Sequence, residues 1–396
     1  MSVLLPIPTE RPYTYGVPEG MALSAGDHVQ VPLGPRKVCA VVWDRPTDEV
    51  DPKKLRSVEQ KFDCPSLSDE LMQFIEWVSN YTLSPPGMVL RMVLRSPAAL
   101  EPLPPTLGYR YSGQDPEKMT AARARILALA RDGLAWSKSG LAHAAGSSAS
   151  VINGLIKLGT LQPVELPPSA LVPLPDIHYG QPELLDEQIE TAERLSDLTA
   201  ENKFSVSLLD GVTGSGKTEV YFEAVAKSLE AGKQVLILLP EIALTASFLE
   251  RFQDRFGAKP GEWHSDIAPK KREQLWRQVA TGEVRVVAGA RSALFLPFSE
   301  LGLIVVDEEH DPAYKQEDRV FYSARDMAVV RGRLSNSSVI LSSATPSIES
   351  RVNADRGRYH YLRMEARYGD AVLPDLKTID MRKSPPPRGS FISPVL

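Results

Sequence analysis

The sequence predicts a multidomain protein, part α+β and part α/β, whose second half is a doubly wound lobe built on a parallel sheet. Three observations predict it. Most of the 33 prolines fall before residue 183. Proline lacks the N–H that helices and central strands need, so that half is restricted to small modules, short strands and linkers. After Phe204, apolar runs without polar alternation take turns with helical stretches, as in a parallel sheet covered on both faces. A glycine-rich turn, Gly211–Thr218, lies between the first of these runs and a helix.

Composition excludes several classes. The 396 residues carry Lys+Arg 45 against Asp+Glu 50, a formal net charge of −5. A generally basic polyanion binder is excluded, and any nucleic-acid contact must come from local patches. Cys39 and Cys64 are too few for a disulfide scaffold or a four-ligand zinc site, which predicts a reducing, cytosolic setting. No apolar run approaches the roughly 20 residues of a membrane helix, and Met1–Pro8 has no basic leader, so neither a membrane partner nor a secretion signal is expected.

From Val3 to about Val42, β-prone runs are split by turn residues, predicting a small β-rich module. A helix follows, with Ser66 as N-cap, Asp69 as an acidic capping partner, and Leu71, Phe74, Ile75 and Val78 on one face. Pro97–Pro105 reads as a linker. Ala121–Arg131, Ser139–Ala145 and Ser148–Leu158 read as three helices and Leu161–Leu166 as a wing, together a winged-helix domain. Its third helix has one basic residue, Lys157, which favours a scaffold or docking role over base reading. In the second half the expected strands are Val206–Leu209, Val235–Leu239, Val284–Ala288, Leu303–Val306 and Val339–Leu341. The expected divisions are 1–103, 104–180, 181–362 and 363–396.

Gly211, Val212, Thr213, Gly214, Ser215, Gly216, Lys217 and Thr218 match the phosphate-loop pattern G-x-x-x-x-G-K-[ST]. Glycines let backbone N–H groups approach phosphate oxygens, and the following helix presents its positive end. Lys217 would set a charge near the β and γ phosphates, and the Thr218 hydroxyl would hold Mg²⁺. Such a loop requires an acid at the tip of another strand. Leu303–His310 supplies Asp307 for the metal shell and Glu308 to orient or deprotonate the attacking water. The plainer alternatives are a structural glycine turn and an acidic helix start.

In order along the chain, the phosphate loop, Asp307-Glu308-Glu309-His310 and Ser343-Ala344-Thr345 resemble superfamily 2 helicases. The stretches Leu209–Tyr221 (LDGVTGSGKTEVY), Leu239–Thr245 (LPEIALT), Gly289–Phe295 (GARSALF) and Val305–Gln316 (VVDEEHDPAYKQ) resemble the PriA family of replication-restart helicases, as does Leu5–Gly34. The resemblance implies a RecA-like helicase lobe over 181–362 behind a 3′-DNA-end-binding domain over 1–103. It also implies ATP-dependent 3′→5′ helicase or translocase activity that recognises stalled forks and starts primosome assembly. The implied cofactors are ATP and Mg²⁺, with zinc only in a region outside this sequence. The implied partners are forked DNA, single-stranded DNA and its 3′ end, single-strand-binding protein and primosome proteins, in a cytoplasmic, nucleoid-associated setting.

Residue by residue, the resemblance assigns adenine reading to Gln188 and coupling of nucleotide state to DNA contacts to Ser343 and Thr345. It assigns the DNA backbone to Arg291 and Ser292. Tyr314, Lys315, Phe321, Tyr322 and Arg325 become an aromatic-rich loop that senses single strands by stacking and phosphate contact. Tyr13, Thr14, Tyr15 and Gly34 become the 3′-end site. There Thr14 stands where many family members have an acid, and a neutral hydroxyl makes the weaker hydrogen bond. Trp263-His264-Ser265 reads as structural.

Fewer than 40 residues follow the first lobe, whereas a second would need on the order of 100–150. The expectation is therefore a piece of a longer protein that binds DNA and, weakly, nucleotide. The alternative reading is a nucleotide-gated DNA-binding switch without unwinding. A small-molecule phosphotransferase, the third reading, would need neither Ser343-Ala344-Thr345 nor the aromatic stretch.

Overall fold

The computed structural model describes residues 1–45, 55–94, 97–102, 105–166, 171–240, 246–365 and 378–395. Strands β1 (Ser2–Leu4), β2 (Tyr13–Thr14), β3 (His28–Leu33), β4 (Arg36–Val42) and β5 (Gln60–Lys61) form an antiparallel sheet in the order β2-β1-β4-β3-β5. Period-2 alternation divides its side chains: Val3, Val29, Val31, Ala40 and Val42 fill one small core, while Leu4 and Val41 face the opposite way into a much larger one. The β3–β4 turn closes Leu33 onto Arg36 through Gly34, whose φ of +61° suits glycine.

Helix α1 (Asp69–Thr82) buries the predicted stripe of Leu71, Phe74, Ile75 and Val78. Its cap is Ser68, which accepts from the Leu71 N–H at 3.3 Å. This corrects the expectation for Ser66, whose hydroxyl instead donates to Asp27 Oδ1 at 2.7 Å. Helix α2 (Pro86–Val93) starts on proline at its first turn, where no N–H is required. Pro97–Leu100 is a short 3₁₀ turn with Leu100 fully buried, so this part of the expected linker is docked. Positions 103 and 104 lie outside the described residues.

The next module contains β6 (Thr106–Tyr111), α3 (Ala121–Ala130), β7 (Trp136–Ser137), α4 (Lys138–Ala144), α5 (Ala149–Lys157) and β8 (Leu161–Leu166). The three strands run in the order β7-β6-β8. β6 was not anticipated; Tyr109 and Tyr111 from it pack on Ile126, Leu141, Ile152 and Leu155.

The lobe runs through α6 (Asp186–Ala200), β9 (Ser205–Gly211), α7 (Lys217–Glu230), β10 (Gln234–Leu238), α8 (Ala246–Phe256), β11 (Gly261–Trp263), α9 (Pro269–Ala280) and β12 (Val286–Gly289). It continues through β13 (Leu301–Val306), β14 (Lys315–Gln316), β15 (Tyr322–Ser323), α10 (Ala324–Leu334), β16 (Ser338–Ser343), α11 (Ile348–Asp355) and β17 (His360–Met364). Seven strands form an all-parallel sheet in the order β11-β12-β10-β13-β16-β9-β17. The five expected strands are its interior, and the two unanticipated ones, β11 and β17, are its edges. Residues 241–245 of the stretch Leu239–Thr245, and 366–377 of the expected exit segment, lie outside the described residues.

The first module and the lobe share a core. Phe74 lies 5.3 Å from Phe295. Trp276 Nε1 donates to Val93 O at 3.0 Å, and Arg277 donates to Asp63 O at 2.7 Å and to Leu100 O at 3.2 Å. The His28 ring meets Trp276 edge-on at 5.8 Å and is buried with both nitrogens unpartnered among the described residues. No helix among the described residues is long and apolar enough to cross a membrane.

Two predictions follow from this packing. A Cβ on Gly87 would lie 2.1 Å from Ile7 O and 2.4 Å from Leu5 O. Gly87→Ala should therefore force α2 off the segment that follows β1 and lower stability by about 1–3 kcal/mol in denaturant unfolding. Burial lowers His28 to about 4, with Asp27 pulling weakly the other way. Because the folded value lies below the ordinary 6.5, the unfolded chain binds the extra proton, and stability is lost as pH falls from about 6.5 towards 4. That loss should be on the order of 3 kcal/mol at its fullest, and His28→Phe should remove it from the pH dependence of thermal unfolding.

Candidate functional site

The tips of β9, β13 and β16 lie side by side at one edge of the sheet. β9 ends at Gly211, and the chain turns through Gly214 and Gly216, both at φ +83°, into α7, which starts at Lys217. A Cβ on Gly211 would meet Ser215 Oγ at 2.6 Å, and one on Gly216 would meet Gln188 Nε2 at 2.4 Å. Lys217 is buried and donates from Nζ to Gly211 O at 2.7 Å. Burial lowers its pKa, against the pull of Glu308, Asp307 and Asp210. The Ser215 hydroxyl is buried without a hydrogen-bond partner among the described residues. A cradle of glycine backbone, one buried cation and one orphaned hydroxyl fits a phosphate group. Val212 is exposed and its N–H donates to Met364 O at 3.3 Å, while Thr213 is exposed at the loop's crest.

Asp307 follows β13, two strands away from β9. Its Oδ2 accepts from the Tyr221 hydroxyl at 3.1 Å and its Oδ1 from the Glu308 N–H at 3.0 Å. Thr218 lies close enough to the same Tyr221 phenol to lower its pKa, so a side chain of α7 neighbours both expected metal-holding residues. Glu308 has φ +47°, a strained backbone for a non-glycine residue. Burial, and then the neighbouring Asp307 charge, raise its pKa. This donor set of one hydroxyl and one carboxylate, beside a phosphate cradle, suits Mg²⁺, which keeps several waters and borrows phosphate oxygens. No group of three or more His, Cys, Asp or Glu among the described residues could hold a metal on its own.

The structure brings Gln188 to the loop with its amide engaged: Nε2 donates to Ser215 O at 2.8 Å and Oε1 accepts from the Leu185 N–H at 2.8 Å. Gln188 is buried here and braces the loop. Ser343 is fully buried at the tip of β16, where it hydrogen-bonds His310 Nδ1 at 2.7 Å and accepts from the Thr345 N–H at 3.0 Å. Ser343 thus presents no surface to solvent, whereas Thr345 is exposed.

The aromatic-rich stretch is a short hairpin, β14–β15, and its residues separate by face. Phe321 is 63 % exposed. Tyr314 is buried; its hydroxyl donates to Leu238 O at 2.9 Å and to Asp307 O at 2.5 Å. Tyr322 is buried with its ring 5.5 Å from that of Phe295. Arg325 is held by Asp326 at 2.8 Å, by Ser347 Oγ at 2.7 Å and by Glu309 at 3.4 Å. Stacking by Tyr314 and Tyr322 is corrected by their burial, leaving Phe321 and exposed Lys315, with Arg325 half-buried and its Nη2 outside these bonds. Arg291 donates from Nη1 to Ala313 O at 3.0 Å and Lys315 O at 2.7 Å, fastening the hairpin, with Ser292 half-buried beside it. In the first module Tyr15 is also corrected: it is buried, and its hydroxyl donates to Pro32 O at 2.9 Å. Tyr13 is exposed, Thr14 is half-buried, and Gly34 lies at an open turn.

Three residues that sequence reasoning missed join these parts: Tyr221, Tyr314 as a strut, and Glu309. Glu309 is buried and accepts from Ser347 N at 2.6 Å, Ser347 Oγ at 2.9 Å and Ser350 Oγ at 2.9 Å. A helix pattern hides Tyr221 among core aromatics, and nothing in the spacing of Glu309 sets it apart from Glu308.

Residues 2–95 match the family described as the 3′DNA-binding domain (3′BD) of PriA, and residues 177–353 match the DEAD/DEAH box helicase family. The chain is 33% identical to replication restart protein PriA of Rickettsia felis over 100% of this chain and 50% of that protein. It is 34% identical to that of Haemophilus influenzae, covering 96% and 54%, and 30% identical to that of Bacillus subtilis, covering 94% and 56%. The chain spans about half the length of the curated relatives it matches.

The two adjacent aromatics of the hairpin should separate cleanly by mutation. Tyr322→Ala should cost about 3–5 kcal/mol of stability by opening a cavity against Phe295, whereas Phe321→Ala should change the unfolding midpoint by less than about 0.5 kcal/mol.

Proposed function

Along its whole length the chain corresponds to the N-terminal part of the PriA family of replication-restart DNA helicases, and from that premise we propose that it supplies the DNA-gripping and nucleotide-binding part of an ATP-dependent 3′→5′ helicase or translocase. Its proposed targets are stalled or abandoned forks, where it would start primosome assembly with single-strand-binding protein and primosome proteins as partners. The observation that carries this reading is the bond from Tyr221 to Asp307, which ties the phosphate-loop helix to the acid on a second strand.

In this reading Lys217 neutralises the terminal phosphates, and Thr218 and Asp307 hold Mg²⁺. The ion, when bound, supplies charge against the negative charge that develops on the transferred phosphoryl group. Glu308 accepts the proton of the attacking water, and its raised pKa makes it a better base than an ordinary carboxylate. Gln188 shapes the loop, and adenine reading would draw on its remaining N–H. Coupling runs through Tyr314, because a shift of the hairpin pulls on the carbonyl of Asp307 itself. Ser343, through His310, and Thr345 report the same event to β16. Phe321 and Lys315 touch the strand, and Tyr13, Thr14 and Gly34 take the 3′ end.

In related phosphoryl-transfer sites an arginine supplied from elsewhere in the protein or by a partner contributes about 10³–10⁵ in rate. We therefore propose that these 396 residues by themselves bind DNA and hold nucleotide weakly. The test is Lys217→Ala in this chain, read by a fluorescent ATP analogue and by forked DNA with a free or blocked 3′-OH. Nucleotide affinity should fall by more than about tenfold, the loss of one charge-assisted contact. Fork affinity should stay, and blocking the 3′-OH should reduce it. Unchanged nucleotide affinity in the variant would rule out the phosphate-loop reading.

A further inference from the structure

Between the phosphate loop and Asp307 stands a third strand tip, that of β16. In the sheet β16 separates β9 from β13, pairing Leu341 with Val306 on one side and Ser342 with Leu209 on the other. The ladder runs on to Asp307, whose N–H donates to Leu238 O at 3.0 Å, so Asp307 stands level with Ser342. Side chains alternate across a sheet. Leu209, Ile340 and Val305 fill the core under α7 with Val220 and Tyr221, whereas Leu208, Leu341 and Val306 fill the other one. By that period of two, Gly211, Ser342 and Asp307 all lie on the α7 face. The bond from Tyr221 to the Asp307 carboxylate and the closeness of Gly211 to Ser215 and Lys217 agree with this placement.

Ser342 is fully buried, and its hydroxyl has no hydrogen-bond partner among the described residues. Its backbone is engaged, since Ser342 O accepts from the Glu309 N–H at 3.0 Å. The next residue, Ser343, points to the opposite face and is taken up by His310 and Thr345. A hydroxyl carries one donor and two acceptor positions, and burying it unpaired is unfavourable, whereas alanine in its place would leave nothing unpaired. The phosphate loop contributes a second such hydroxyl, that of Ser215. Two orphaned hydroxyls at one edge of the sheet, on the face that carries Lys217, Thr218 and Asp307, mark a polar space that the chain itself does not satisfy.

We propose that Ser342 is a positioning residue for the metal: its hydroxyl accepts a hydrogen bond from a water of the Mg²⁺ shell and so steadies that shell beside Asp307. The proposal rests on the nucleotide-binding reading above and deepens it. Mg²⁺ gives up its waters reluctantly and keeps several when it binds through one or two side chains and phosphate oxygens. Those waters need acceptors, and the oxygens of Asp307 already take the Tyr221 hydroxyl and the Glu308 N–H. Groups that orient a metal's ligands from behind commonly change its affinity about 10–100-fold. A bond from the same hydroxyl to a phosphate oxygen would use the same chemistry. The metal water is favoured because Ser342 stands level with Asp307, while the phosphate cradle is built by the loop itself.

The test compares the whole chain with Ser342→Ala, reading thermal unfolding without ligand and binding of the fluorescent ATP analogue with Mg²⁺ and in EDTA. Removing an unpaired hydroxyl should leave the ligand-free midpoint unchanged or raise it. The Mg²⁺ concentration that half-saturates analogue binding should rise about tenfold, while affinity in EDTA stays the same. A purely structural serine would not move the metal requirement alone. A clearly lowered ligand-free midpoint would show that the hydroxyl already has a partner within the fold and would overturn the proposal. So would an unaltered Mg²⁺ requirement. An equal loss of affinity with and without the metal would also overturn it, making Ser342 a phosphate contact instead. Weaker binding by Lys217→Ala beside an unchanged Mg²⁺ requirement in Ser342→Ala would remove the metal role and keep the phosphate loop. Failure of the wild type to bind the analogue at all would bring down both readings.

Discussion

Asp307 is the residue on which the rest of the lobe depends, because two buried tyrosine hydroxyls hold it from opposite directions in the chain. Tyr221, one turn into the phosphate-loop helix, bonds its carboxylate; Tyr314, at the root of the hairpin, bonds its carbonyl. Both phenols are deeply buried, and burial raises the pKa of each well above the ordinary tyrosine value. They stay protonated donors at any working pH, so each bond has a fixed direction. A buried polar group left without its partner costs about 1–3 kcal/mol, which means that neither element can shift without disturbing the acid.

A second constraint is the shared core between the first module and the lobe. Trp276 reaches back to the backbone of Val93, and Phe74 packs on Phe295. Arg331 of α10 is fully buried, stacked near Phe74 and Phe298, and donates to the carbonyls of Leu294 and Leu296. Desolvation lowers its pKa to about 9, so it stays charged at neutral pH and holds the turn that carries Arg291. A module fixed in this way cannot act as a loosely tethered DNA hook. Whatever binds it is referred directly to the lobe.

Much of this was legible in the sequence. The phosphate loop, the acids after β13 and the five interior strands follow from glycine spacing and unbroken apolar runs. The edge strands did not show, because β11 has three residues and β17 opens on exposed His360 and sets exposed Arg363 between buried Leu362 and Met364, the mixed pattern of a strand with one neighbour. Ser66 and Ser68 are both good caps by type, and only the tertiary bond to Asp27 decides between them. Family likeness marks the aromatic stretch as a unit but cannot say which aromatic faces outward.

That last ambiguity has a geometric answer. Neighbouring residues of an extended strand point to opposite faces, so Phe321 and Tyr322 cannot both meet a ligand once the hairpin pairs Gln316 with Tyr322. With Tyr322 turned into the core beside Phe295, Phe321 must turn out. The hairpin then works as a lever with one exposed ring and two anchored ones. On the function proposed above, sensitivity to a bound strand would belong to its outer face and the response to Tyr314, whose hydroxyl rests on the backbone of Asp307. Sensing and response can therefore be altered separately by substituting residues only seven positions apart.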